Sequence, residues 1–249
     1  MLGRIHNYNE FEQVYSMARQ VGFNNINVDL MIGLPKQTME DVDNSLEKII
    51  KKEPEHISVY SLIVEENTPI FNLIESGSLM LPDEEIERKM YWRVKCKLEE
   101  AGYKHYEISN FAKQNYKSKH NLNCWNQRPY LGIGAAAHSY YNKMRFSNID
   151  DVKKYIENYK NKKEVCNIML YEEQSNEDTM KEFMLLGLRK IDGVNINMFK
   201  NKFSQDPIYI YRRELKKLTD EGLIEIDDNS IRLSNKGIDL ANQVWMEFV

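Results

Sequence analysis

The stretch KHNLNCWNQRPYLGIGAAAHSYY, residues 119–141, collects side chains able to hold a flat, metal-bearing ligand. It contains two of the chain's five histidines (His120 and His138), one of three cysteines (Cys124) and one of three tryptophans (Trp125). A neutral imidazole is a good iron ligand, a thiolate is a soft one, and an indole can stack on a macrocycle. Gly132, Gly134, Ala135, Ala136 and Ala137 follow, a thin backbone that can approach something flat. The enclosing window 108–149 holds no Asp or Glu and six cations, Lys113, Lys117, Lys119, Arg128, Lys143 and Arg145, in a chain of formal charge −4. Such a window suits an anionic ligand. A plainer assignment covers the same residues: a Gly/Ala strand beside a solvated basic loop, ordinary hydrogen-bonded histidines, and a small buried cysteine.

Two further residues carry potential chemistry. Asp29 is a carboxylate on an otherwise apolar strand, close to the C-terminal end at which parallel α/β folds bind ligands. It could accept two hydrogen bonds from ribose hydroxyls, or cap a neighbouring loop. Arg4 stands just before the first helix and could grip a ligand carboxylate with two parallel hydrogen bonds, or lie solvated.

The elements that must position these residues begin with a helix capped by Asn7 and ended by Gly22, with Phe11, Val14, Tyr15, Ala18 and Val21 at helical spacing. Residues 25–33 alternate as a strand, with Ile26, Val28, Leu30 and Ile32 on one face and Asn27, Asp29, Met31 and Gly33 on the other. Thr38 and Asp41 form a capping box before a helix bearing Val42, Leu46, Ile49 and Ile50. Pro54 ends that helix, and 56–64 reads as a second strand, parallel to the first. A further helix over 83–101 places Ile86, Met90, Val94 and Leu98 on one face. Residues 134–138 read as a strand, and His120 as part of a flexible polar loop. Only two β-α units are visible, and the chain begins in a turn before a helix, so Met1 reads as an internal start.

The C-terminal third differs. Residues 176–189, 197–203 and 209–221 read as helices, followed by the hairpin LIEI-DDNS-IRL and a helix capped by Ser234, a winged-helix pattern. Arg212, Arg213, Lys216 and Lys217 lie where a DNA-binding regulator would place its recognition helix. Over 205–249, however, six cations face nine carboxylates, a balance of −3 that opposes a polyanion. The wing is expected to be a structural or docking module, with no nucleic-acid partner.

At 249 residues, 42% hydrophobic and 11% aromatic, the chain can bury a substantial core. It has no apolar run of the ~18 residues a membrane helix needs and no apolar export signal at its start. Three widely spaced cysteines, Cys96, Cys124 and Cys166, give neither a disulfide framework nor a CxxC metal site. A reducing cytoplasm is the expected compartment.

The runs INVDLMIGLPKQT (26–38), GYKHYEISNFA (102–112), HNLNCW (120–125) and YLGIGAAAHSY (130–140), with the wing DEGLIEIDDNSIRLSNKG, resemble radical S-adenosylmethionine proteins related to oxygen-independent coproporphyrinogen III oxidase. The likeness runs along essentially the whole chain. Within that family, an HNxxYW pattern marks the HemW-type haem chaperone branch, its His being implicated in haem binding. Here the pattern stands as His120, Asn121, Cys124 and Trp125, with Cys124 at the Tyr position.

The resemblance implies an α/β fold: the C-terminal part of a partial TIM-like barrel (1–102), a connecting β-containing segment (103–170) and a mainly helical winged domain (171–249). It implies Arg4, Asp29 and Met31 at S-adenosylmethionine, His120, Asn121 and Trp125 at haem, and His120 as iron ligand. It implies no catalytic residue in this chain. The family's CxxxCxxC cluster motif is absent, so the [4Fe–4S] cluster and reductive S-adenosylmethionine chemistry would belong to a longer parent, of which this is a fragment. Haem would pass to an acceptor protein of unknown identity, through which the chain could associate peripherally with a membrane. The rival within the family is a coproporphyrinogen oxidase; the rival outside it is a transcription regulator.

Overall fold

A computed structural model of the chain describes residues 6–161 and 167–249, so Arg4 and Cys166 lie outside the described residues. Two compact units result, residues 1–117 and 118–249.

In the first unit, Asn7 accepts from the Asn9 and Glu10 amides while Glu10 reaches back to the Asn7 amide, closing a capping box on α1 (Tyr8–Gln20). Its Val14 and Val21, expected on the buried face, are 66% and 74% exposed. The helix is held instead along the Tyr15–Arg19 stripe. Tyr15 is buried and donates to the Lys52 carbonyl, and Arg19 pairs with Glu55 at 2.9 Å. Strand β1 (Asn27–Ile32) buries Val28, Leu30 and Ile32 and turns Asn27, Asp29 and Met31 to the opposite face, the alternation the sequence predicts. The Thr38–Asp41 capping box opens α2 (Met39–Lys51), which buries Val42, Leu46 and Ile49.

Strand β2 (His56–Ser61) runs parallel to β1, with Asp29 opposite Ser58 and Asn27 opposite His56. Pro69 starts a short helix, α3 (Pro69–Glu75), which the apolar pattern did not reveal. Asp83 caps α4 (Glu84–Glu100), where Met90, Val94 and Leu98 are buried but Ile86 is 43% exposed, lying in the first turn. Strands β3 (Lys104–Glu107) and β4 (Asn110–Ala112) complete a mixed sheet in the order β1-β2-β4-β3, β4 antiparallel to both neighbours. Helices α2 and α4 pack on the apolar face of β1. Because β3 and β4 join this sheet, the first unit extends to residue 117 rather than ending at 102.

The second unit opens with α5 (Lys119–Trp125), capped by Ser118. Strands β5 (His138–Tyr141), β6 (Met144–Asn148) and β7 (Ile168–Glu173) form an antiparallel meander, with α6 (Val152–Lys160) between the last two. A third capping box, Ser175 with Asp178, starts α7 (Asn176–Gly187). Strand β8 (Val194–Asn195), α8 (Ile196–Phe203), α9 (Pro207–Ile210) and α10 (Arg212–Asp220) follow. The hairpin β9 (Ile224–Ile226) and β10 (Ser230–Leu233) pairs with β8 as a three-stranded wing in the order β8-β10-β9. Ser234 caps α11 (Asn235–Asp239), and α12 (Ala241–Met246) closes the chain. Phe183, Phe199, Tyr211 and Phe248 form a run of edge-to-face rings with centroids 5.3–6.3 Å apart, binding α7, α8 and the last residues into one core.

Candidate functional site

Two polar regions emerge, one in each unit. The first lies on the sheet face opposite α2 and α4. Asp29 is exposed there and accepts a hydrogen bond from Asn27 Nδ2 at 2.7 Å. That contact orients the Asn27 amide, so its Oδ1 faces His56 Nδ1 at 2.6 Å and also accepts from Ser58 Oγ at 3.1 Å. An amide oxygen only accepts, so Nδ1 of His56 carries the proton and Nε2 accepts from the Tyr106 hydroxyl at 2.8 Å. Asp29 therefore heads a relay through Asn27 and His56 to Tyr106. Burial pushes the His56 imidazole below its ordinary value, against the pull of Asp29, which keeps it neutral.

Met31 is half-buried on the same face, across from exposed Tyr60. Sequence reasoning placed Asp29 and Met31 on this face but missed Asn27, His56 and Tyr106 as partners. The signal was in the parity: His56 and Ser58 alternate with Ile57 and Val59 along β2. Nearby, Glu107 is 1% exposed and accepts from the Ser109 amide and from Asn110 Nδ2.

The second region is α5. His120 is exposed in the first turn of this helix, not in a loop. The helix begins there because Ser118 accepts from the Asn121 amide and nothing in KHNLNCW breaks it. The spacing of four puts Cys124 one turn on, with its Sγ 3.9 Å from His120 Nε2. Burial pushes the Cys124 thiol up. Asn121 is half-buried, and the half-buried Trp125 has one ring face occupied by the Arg189 guanidinium, 4.5 Å from its centroid.

Of the window's cations in this unit, Arg145 pairs with Glu182 at 2.5 Å, and Lys143 donates to Asn176 at 2.5 Å. Lys119 and Arg128 are exposed and make no ion pair among the described residues. Lys117 belongs to the first unit, its ammonium 5.6 Å from the Tyr106 ring.

The Gly/Ala run departs from expectation. Residues 134–137 turn, Ala136 has φ 60°, and the strand begins only at His138, which is exposed. The thin backbone is taken up by the chain itself: a Cβ on Gly132 would stand 2.3 Å from the His138 carbonyl oxygen.

No three His, Cys, Asp or Glu side chains among the described residues gather around a possible ion position. The described residues include two cysteines, Cys96 and Cys124, fewer than the three or four thiolates an iron–sulfur cluster takes. Among the described residues, no helix is long and apolar enough to cross a membrane.

Residues 174–240, which contain the wing, match the HemN C-terminal domain family. The whole chain aligns with the haem chaperone HemW of Bacillus subtilis at 38% identity, covering 65% of that protein. It aligns with the HemW of Lactococcus lactis at 34% identity, again along its full length and covering 64% of the relative. The chain thus spans about two thirds of the length of these curated relatives. Among solved structures, the radical SAM coproporphyrinogen III oxidase HemN of Escherichia coli superposes with a TM-score of 0.76 at 19% identity, over 98% of this chain and 59% of that one, a likeness of fold. Two HemW proteins thus align along the whole of this chain, and a HemN C-terminal domain model covers its wing.

Proposed function

We propose that this chain is the haem-holding part of a haem chaperone, which binds haem and passes it to an acceptor protein. One observation carries the reading. His120 is exposed on the first turn of α5, within a chain 38% identical along its whole length to a haem chaperone. An exposed imidazole with a thiol beside it is a donor set that suits haem iron. Lys119 and Arg128 supply charge for the propionates, Asn121 a polar contact, and Trp125 the part of its indole turned away from Arg189. Bound haem would supply an iron centre that can exchange one protein ligand for another.

Asp29 and Met31, with Arg4, are assigned to S-adenosylmethionine, Asp29 offering ribose an acceptor whose position the Asn27 contact fixes. S-adenosylmethionine binding in full, and any [4Fe–4S] cluster, would be properties of a longer protein containing this chain. The likeness to coproporphyrinogen oxidase is one of fold and brings no decarboxylation to these residues. The wing's −3 balance over 205–249 argues against nucleic acid as partner and for a role in docking. The assigned setting is a reducing one such as the cytoplasm, with any membrane contact made through the acceptor.

Titration of the purified chain with haem held in the ferrous state by dithionite tests the reading. A saturable Soret shift is expected, weakened at least about tenfold by His120→Ala and less by His138→Ala. Equal affinity of wild type and His120→Ala would overturn the assignment.

A further inference from the structure

The assignment of His120 to haem iron leaves Cys124 without a role, yet its sulfur is 3.9 Å from the imidazole Nε2. Resting on that assignment, we propose that Cys124 and His120 are alternative axial donors to one haem iron, the thiolate serving the ferric state and the imidazole the ferrous.

Geometry makes them alternatives rather than a pair. Residues four apart on a helix project from the same side. A haem iron offers only two protein-accessible positions, on opposite faces of a ring that fills the other four. Two donors one turn apart on α5 reach from the same side, so one excludes the other. Geometry also lets them share the iron. Typical metal–sulfur and metal–nitrogen bonds are about 2.3 and 2.0 Å. Together they exceed the 3.9 Å separation. A position within bonding reach of one donor is therefore within side-chain rotation of the other, with α5 unmoved.

Charge decides which donor is used. Ferric porphyrin carries one net positive charge at its core, which an anionic thiolate neutralises; the ferrous core is neutral and suits neutral imidazole. On one-electron reduction, by dithionite in the test below, Cys124 Sγ takes a proton from solvent and departs. The lone pair of His120 Nε2 then replaces it, the imidazole proton being on Nδ1. Oxidation by ferricyanide reverses each change. Neither exchange needs a conformational step larger than a rotamer change, which suits a protein that must give its ligand away.

The test uses the whole chain loaded with haemin, read by absorption and electron paramagnetic resonance in the ferric state and by the carbon monoxide adduct in the ferrous state. Wild type and His120→Ala should show a ferric thiolate signature, and Cys124→Ser should lose it while still binding haemin. The reduced wild type should give an imidazole-type carbonyl spectrum, as should Cys124→Ser; His120→Ala should lose ferrous affinity about tenfold or more. If wild type and Cys124→Ser bind haemin with identical ferric spectra, the two-donor inference fails and the haem-chaperone reading stands. If no form binds haemin, both fall. Both positions lie on a short surface helix, and unchanged circular dichroism of each variant separates ligand loss from misfolding.

Discussion

The guanidinium carbon of Arg189 lies 4.5 Å from the centroid of the Trp125 ring. The same cation lies 4.8 Å from the ring of Trp245, so it ties the last residue of α5 to α12 at the end of the chain. Trp125 is thereby held by a residue 64 places away along the chain. The Nε1 atoms of both indoles are buried without a hydrogen-bond partner among the described residues, so the cation accounts for much of what holds the rings.

Arg189→Ala should therefore destabilise the second unit by about 2 kcal/mol through lost cation–π contact and packing. Tryptophan emission should shift to the red as Trp125 and Trp245 gain water. Haemin affinity should fall with it, and Arg189→Lys should restore part of each. An unchanged emission spectrum in Arg189→Ala would mean that the rings are held by something else.

His105 gives a pH dependence with a definite sign. It is 4% exposed, lies face to face with Phe111 at 4.4 Å, and burial lowers its pKa to about 4 from 6.5. The unfolded chain thus binds more protons between pH 4 and 6.5, and stability rises with pH across that window. The contribution is fully present above pH 6.5 and is lost as pH falls towards 4, about 3 kcal/mol in all. The His56 shift has the same direction and adds to the slope. Urea midpoints measured from pH 7 to 4.5 should fall steadily in wild type, and less steeply in His105→Phe. A midpoint flat across this range would contradict a neutral buried His105.

Local rules were legible where one residue type settles the geometry. The Asn7 cap and the Thr38 capping box, the alternation of β1 and the wing after α10 all stand where spacing puts them. Signals that depend on distant partners were not. That β3 and β4 join β1 and β2 is written in no local pattern, and neither is the exposure of Val14, whose helix is held by Tyr15 and Arg19 instead. The Gly132–Ala137 run misled because a thin backbone is equally what a ligand or the chain's own carbonyl requires.

Gly132→Ala follows from that last point. The new Cβ would fall 2.3 Å from the His138 carbonyl oxygen and 2.9 Å from Ala137 Cβ, and neither can turn aside as a long side chain would. The amide of Gly132 also donates to Ser139 Oγ at 2.9 Å, so displacement of this turn breaks a partly buried hydrogen bond. A loss of about 2–3 kcal/mol is expected, seen as a lower midpoint in denaturant. If Gly132→Ala is neutral in stability but abolishes haemin binding, the glycine serves a ligand after all.

The relay that begins at Asp29 separates a binding role from a structural one. Asp29 is exposed, so Asp29→Asn should change stability by less than about 0.5 kcal/mol. Asn27→Leu should cost more, about 1–3 kcal/mol, because it removes the acceptor of buried His56 Nδ1 and leaves that N–H unsatisfied. The same change should free the His56 tautomer, since only the Asn27 oxygen fixes the proton on Nδ1; nitrogen-15 chemical shifts of the ring report this directly. In Asp29→Asn the Asn27 amide loses a charged acceptor but keeps an oxygen to donate to, so the tautomer should hold. S-adenosylmethionine affinity, measured on a longer protein containing this chain, should respond in the opposite order: Asp29→Asn severe, Asn27→Leu milder. A protein in which Asp29→Asn destabilises the fold and leaves affinity intact would make Asp29 a structural residue and remove it from the site.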